Sequence, residues 1–178
     1  RGLADYFDAE TTGGSMIDLH IHDAHFIRML CGMPTAVQTV GRMRGSVAEW
    51  FQTQFLFDNA GLSMTATGGA IAQQGRPFTH GFEIHLERAT LLFDFANLGR
   101  QSGPVMPLTV LTDNGRVLRP KLSAGDPLDA FAAELHEVVR SLRTGEPSIA
   151  LDARLARDAL TLCHRETQSL LRRRPVRV

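Results

Sequence analysis

Apolar and polar positions change period twice along this chain. From Ser15 to Cys31 the spacing is helical: Ile17, Ile21 and Ala24 share a face, and Leu19, Phe26, Ile27 and Leu30 widen it until only a narrow polar stripe is left. Gly32 with Pro34 just beyond is a common helix stop, so one mostly buried helix is predicted over residues 15–31. The period then falls to two. Phe51, Thr53, Phe55 and Phe57 alternate with Gln52 and Gln54, Leu62, Met64 and Ala66 with Ser63, Thr65 and Thr67, and Phe82, Ile84 and Leu86 with Glu83, His85 and Glu87. Leu91, Phe93 and Phe95 continue the pattern, and Asp113-Asn114-Gly115 turns a hairpin between residues 108–112 and 116–119. With a strand over residues 36–42, about six or seven strands result, mostly antiparallel because the links are short. Helical spacing returns after Asp126-Pro127, with Phe131, Leu135, Val138, Val139 and Leu142 as the expected buried face before Gly145. Asp152 can cap a last helix whose apolar face holds Leu155, Ala159, Leu162, Cys163 and Leu170. The expected class is α+β: an open, mostly antiparallel sheet with helices packed on one face.

Composition narrows the possibilities. With 178 residues and 43% apolar content, the chain suits a single domain with a substantial core. Nineteen basic residues balance nineteen acidic ones, so no overall field recruits nucleic acid or an anionic membrane, and the Arg172-Arg173-Arg174 run suits a helix C-terminus. Cys31 and Cys163 have no metal-ligand spacing and are expected as buried thiols in a reducing compartment. No apolar run approaches the roughly 18 residues of a membrane span and no signal-peptide pattern opens the chain, so a cytoplasmic location is the default. The opening at Arg1, without cap or period, points to a cut inside a longer product.

The chemistry concentrates in Gly13-Gly14-Ser15-Met16-Ile17-Asp18-Leu19-His20-Ile21-His22-Asp23. On a strand, Asp18, His20 and His22 would share one face and could converge on a metal; on a helix, Asp18, His22 and His25 form the stripe and His20 points elsewhere. The strand geometry resembles the Asp-x-His-x-His of amidohydrolases, but those enzymes need further ligands from a barrel of about 250 residues, longer than this chain. In the helical geometry Asp18 accepts a hydrogen bond from one ring nitrogen of His22 and leaves the other for a substrate, the layout of a general acid–base. A lone Asp-x-x-x-His is more often the mark of a buried histidine satisfied by its helix neighbour, so context must supply the rest.

That segment, followed by Phe26 and Leu30-Cys31-Gly32-Met33-Pro34, resembles the Gly-Gly-x-x-x-Asp-x-Gly-x-His segment in the C-terminal domain of the Gfo/Idh/MocA oxidoreductases. The ending is similar too, with Asp126-Pro127-Leu128 opening a helix and Leu142-Arg143-Thr144-Gly145-Glu146-Pro147 preceding the last one. The resemblance implies residues 1–178 are the substrate-binding and oligomerisation domain of an NAD(P)-dependent oxidoreductase. An N-terminal Rossmann domain, absent from this chain, would bind most of the NAD or NADP. By the match, His22 and Asp18 stand at the catalytic positions, and Gly13 and Gly14 would let backbone approach the nicotinamide.

The implied substrate is a small polyol-like molecule such as a sugar or cyclitol. The implied partner is a second copy of the chain through the open sheet face, with no nucleic acid or membrane involved. No Gly-x-Gly-x-x-Gly follows a strand, and the family's Glu-Lys-Pro is missing, the sole lysine being Lys121. His20 stands where many members have Gly and is expected to be structural; His25 stands where an Asp often follows and either extends the polar stripe toward substrate or, the more ordinary case, is a packed histidine. His80, in Pro77-Phe78-Thr79-His80-Gly81, is a further candidate to line the site, with a plain surface loop as its alternative. Alone, the chain is expected to lack redox activity. Two other classes stay open: a domain of this fold that acts only in dimerisation, and a metal-dependent hydrolase.

Overall fold

A computed structural model of the chain describes residues 3–70, 75–121 and 127–178. It is α+β, with two compact units, Arg1–Ile71 with Glu134–Val178 and Ala72–Ala133.

In the first unit a 3-10 turn at Leu3–Phe7 leads to three short helices: α1 (Ala9–Thr12), α2 (Ser15–Asp18) and α3 (Ile21–Cys31). Strands β1 (Ala36–Arg44), β2 (Val47–Leu56) and β3 (Met64–Gly69) follow, and the unit closes with α5 (Ala153–Arg172) and β8 (Val176–Arg177). The sheet order is β3-β2-β1-β8, antiparallel throughout. Register places Val37 opposite Phe55, Thr39 opposite Thr53 and Gly41 opposite Phe51, so one face carries the buried residues while Gln52 and Gln54 point to solvent. Helices α5 and α2 pack on the sheet and α3 packs against α5, and Met16, Ala24, Ile27, Phe51, Phe55 and Leu162 form the centre of the core.

Helix α5 folds as its spacing predicts. Asp152 accepts a hydrogen bond from the Arg154 N–H at 2.8 Å, capping the first turn, and Leu155, Ala159, Leu162, Cys163 and Leu170 are buried. Glu166 and Ser169 are buried in the same stripe. The Ser169 hydroxyl accepts from the Thr39 N–H at 2.9 Å and donates to the Arg174 carbonyl at 2.7 Å, tying the end of α5 to β1. Between α3 and α5, Arg28 Nε donates to Asp158 at 2.9 Å.

The second unit holds a four-stranded antiparallel sheet in the order β4 (Phe78–His85), β5 (Ala89–Leu98), β6 (Gln101–Thr112) and β7 (Val117–Leu118). One face sets His80, Phe82 and Ile84 opposite Phe95, Phe93 and Leu91. The Asp113-Asn114-Gly115 turn expected from the sequence joins β6 to β7, with Gly115 at φ +79° and its N–H on the Thr112 carbonyl at 3.0 Å. The antiparallel strands thus fall into two sheets, where alternation alone led us to expect one.

Two expectations are corrected. The helix predicted over residues 15–31 is broken at Leu19–His20, and Leu30 in its predicted apolar face is 52% exposed. The face of α4 (Pro127–Thr144) expected to be buried is exposed, with Phe131 at 63%, Leu135 at 65% and Leu142 at 80%. The periodicity made the helix amphipathic, but no described element packs extensively against it. Its expected cap, Asp126, lies outside the described residues. Of the two cysteines, Cys163 is buried and Cys31 is half-buried, both free thiols.

Candidate active site

The hinge is built by two consecutive glycines. Gly13 ends α1 in the left-handed conformation at φ +74°, its N–H bonded to the Ala9 carbonyl at 2.9 Å. Gly14 opens α2 at φ +80°, and a side chain there would begin 2.7 Å from the Val47 Cβ. Both glycines therefore have a reason within the fold. Helix α2 is held down by the buried Ser15 hydroxyl, which donates to the Ala48 carbonyl of β2 at 2.8 Å.

After Asp18 the helical ladder is interrupted. The Ser15 carbonyl accepts from both Leu19 N–H at 3.2 Å and His20 N–H at 3.0 Å, the second a five-residue closure that adds one residue to the turn. His22 N–H then returns to the Leu19 carbonyl at 3.2 Å, and α3 begins. Asp18 is therefore the last residue of α2, half-buried, and His22 lies in the first turn of α3 with an exposed side chain. The two stand on either side of a turn, where the helical reading had them one regular turn apart. Nor do Asp18, His20 and His22 share a strand face, the geometry that would gather them on a metal. Among the described residues, no group of three or more His, Cys, Asp or Glu side chains is arranged to hold one.

His20 lies between them and is 1% exposed. Its Nδ1 is 3.1 Å from Asp23 Oδ2 and its Nε2 is 2.9 Å from Glu166 Oε2. The ring packs edge-on against Phe51 with centroids 4.9 Å apart. A neutral imidazole has one N–H, whereas here both nitrogens face carboxylates; the doubly protonated ring satisfies both. Burial opposes that charge more than any single neighbour favours it. The charge of Glu166, the Asp23 hydrogen bond and the Glu166 hydrogen bond together outweigh it, and the imidazolium is pushed up to about 9. Glu166 Oε2 also accepts from the Thr53 hydroxyl at 2.7 Å, and Thr53 pairs with the Thr39 hydroxyl at 2.9 Å, so the network runs from the turn through α5 to both central strands. Glu166 Oε1 is buried without a hydrogen-bond partner among the described residues. Burial and the charge of Glu166 push the neighbouring Cys163 thiol up, keeping it un-ionised.

His25 lies one turn beyond His22 on α3, half-buried, its Nε2 enclosed and unpartnered among the described residues. His80 belongs to β4 of the second unit, not to a loop. It is exposed, its ring 5.5 Å from Phe78, 5.5 Å from Phe93 and 5.1 Å from Phe95 between centroids. Sequence reasoning set His20 aside as structural and did not single out Glu166. A carboxylate at a buried position of the α5 stripe was the available signal.

The family model described as the GFO/IDH/MocA C-terminal domain matches residues 2–92, and the chain belongs to that family. Among solved structures, an NAD-binding oxidoreductase from Klebsiella pneumoniae is similar over 97% of this chain and 53% of its own, at 16% identity and a TM-score of 0.76. An oxidoreductase from Agrobacterium radiobacter, solved with NAD+, L-tartaric acid and magnesium, is similar over 91% of this chain and 48% of its own, at 16% identity and a TM-score of 0.69. At such identities the likeness is one of fold. The chain spans about half the length of these neighbours. No curated protein sequence matches it. No described helix is long and apolar enough to cross a membrane.

Proposed function

We propose that this chain is the substrate-binding and oligomerisation half of an NAD(P)-dependent oxidoreductase acting on a sugar, a cyclitol or a related alcohol, with His22 as acid–base and Asp18 as its orienting partner. One observation carries the reading: within the segment matched by the family model, the exposed His22 opens α3 directly after a turn anchored in the core, with the half-buried Asp18 on the other side of that turn. A side chain so placed is reachable by a reactant from outside the chain, which suits a substrate brought against it by a second domain.

In this reading NAD or NADP is bound mainly by an N-terminal Rossmann domain, and the nicotinamide supplies the hydride acceptor or donor. The chain's own part is acid–base work. His22 takes the hydroxyl proton as an alcohol is oxidised and returns it in the reverse direction, while the carboxylate of Asp18 favours one ring orientation. Gly13 and Gly14 are the candidates for backbone contact with the nicotinamide. His25 is a candidate for contact with substrate from α3, and His80 is a separate candidate on β4. Residues 1–178 alone are redox-inactive in this reading, and the whole enzyme acts in the cytoplasm.

Self-association through the sheet of the second unit belongs to the same proposal. Its support is the exposure of Phe78, Leu98, Val105 and Met106 on that sheet. It equally supports a second reading, in which the domain serves dimerisation without catalysis. Replacing His22 by Ala in the full-length enzyme separates the two. A fall in kcat of about 10² or more, the usual scale for a general acid–base, is expected, and wild-type turnover would refute the catalytic reading. Sedimentation showing a monomer at all practical concentrations would refute the association.

A further inference from the structure

The turn that divides Asp18 from His22 has only a weak backbone device to keep it in place. A helix of four residues, α2, ends in the five-residue closure from His20 to the Ser15 carbonyl. Were that extra residue absorbed into regular helix, everything after it would rotate by about 100° and shift by about 1.5 Å relative to Asp18. What opposes this is the His20 side chain. Its ring is fixed on three sides: by Asp23 of α3, by Glu166 of α5 and by the Phe51 ring of β2. Glu166 is itself fixed by the Thr53 hydroxyl, which pairs across the sheet with Thr39.

We propose that His20, held by Glu166, is the positioning residue for the acid–base pair: it fixes the turn joining α2 to α3 and so sets the direction in which His22 is presented. This role rests on the acid–base reading of His22 and Asp18. His20 lies two residues from each and is 1% exposed, so it acts through the backbone between them. Asp23 and Glu166 are the titratable groups that face His20, from α3 and α5, with the Cys163 thiol beside Glu166; β2 contributes Thr53 and Phe51, and β1 contributes Thr39.

The test uses the full-length enzyme with three variants. Glu166→Gln should lower kcat by about 10- to 100-fold while KM for the alcohol changes less than about threefold, since a displacement of about 1 Å in a reacting group costs on that scale. The double variant His20→Met with Glu166→Met replaces the buried pair by apolar groups of similar volume. It should recover the thermal midpoint lost in Glu166→Gln, while kcat stays low. Recovery of kcat together with the midpoint would show that the pair only fills space, and would overturn the proposal. If the double variant does not fold, the single one decides: wild-type kcat in folded Glu166→Gln is an equally decisive refutation. His22→Ala is measured alongside. Wild-type turnover there removes the acid–base reading itself, whereas an inactive His22→Ala beside a fully active Glu166→Gln removes the positioning role alone.

Discussion

Glu166→Gln also has a consequence for stability that does not depend on turnover. His20 rises from its ordinary 6.5 to about 9 in the folded protein, a difference of about 2.5 pH units at 1.36 kcal/mol each, or about 3 kcal/mol. Because the folded value lies above the unfolded one, this contribution is fully present below pH 6.5 and is lost as pH rises through 9. Between pH 6 and 8 the loss is about 2 kcal/mol by linkage. With a urea m-value of about 2 kcal/mol/M, the midpoint of unfolding should fall by about 1 M across that interval. In Glu166→Gln the amide still accepts the Thr53 hydroxyl, but the charge that offsets burial is gone. The folded protein then prefers the neutral ring, and stability should be flat or rise slightly with pH over the same interval. Urea titrations of both proteins at pH 6, 7 and 8 read the difference directly. The interval stops short of thiol ionisation, which burial delays at Cys31 and Cys163 in the folded state. Parallel profiles would refute the account, because they would mean that His20 carries no charge supplied by Glu166.

Two further outcomes follow from the packing. Gly14→Ala meets both a φ of +80° and a Val47 Cβ 2.7 Å from the new atom, so a loss of about 2 kcal/mol or more is expected. In a Val47→Gly background, which lacks that Cβ, only the strained φ is left, so Gly14→Ala should still lower stability in urea there, and no loss in that background would disprove the backbone part. The thiols should differ in reactivity: in native protein at pH 8, Cys31 reacts with a disulfide reagent, while Cys163 reacts only on unfolding. Equal native rates would contradict the burial of Cys163.

Much of this fold was legible in the sequence, for local reasons. Two-residue alternation marked β2, β3, β4 and β5 because each strand has an inward and an outward side, and the Asp113-Asn114-Gly115 turn marked its hairpin by the conformations those residues tolerate. Alternation does not say which strands pair, so the division into two sheets was not visible, nor was β8, which is two residues long. The break at Leu19–His20 was hidden because the apolar spacing runs unbroken through it; the cause is long-range, the capture of His20 by Glu166. The stripe of α4 read as buried because periodicity reveals which side is apolar and nothing about what covers it. At the site, Asp18 and His22 were readable as a pair of residue types, but their separation by a turn was not. Glu166 could have been found by asking why a carboxylate stands between Leu162 and Leu170 in the buried stripe of α5.

The first unit is assembled from the two ends of the chain, and this bears on how it folds. His20 meets its partner Glu166 across 146 residues, and Thr39 meets Ser169 across 130. Until α5 arrives, β1 lacks the long helix that packs on it, β2 has only the short helix α2 against it, and His20 has no carboxylate on its inner nitrogen. Contacts of such separation form slowly, since a long loop must close before any of them can stabilise the structure. A nascent chain emerging N-terminus first would therefore hold its first strands exposed until Leu155, Leu162 and Glu166 are synthesised, and its last helix would be the step that completes the core.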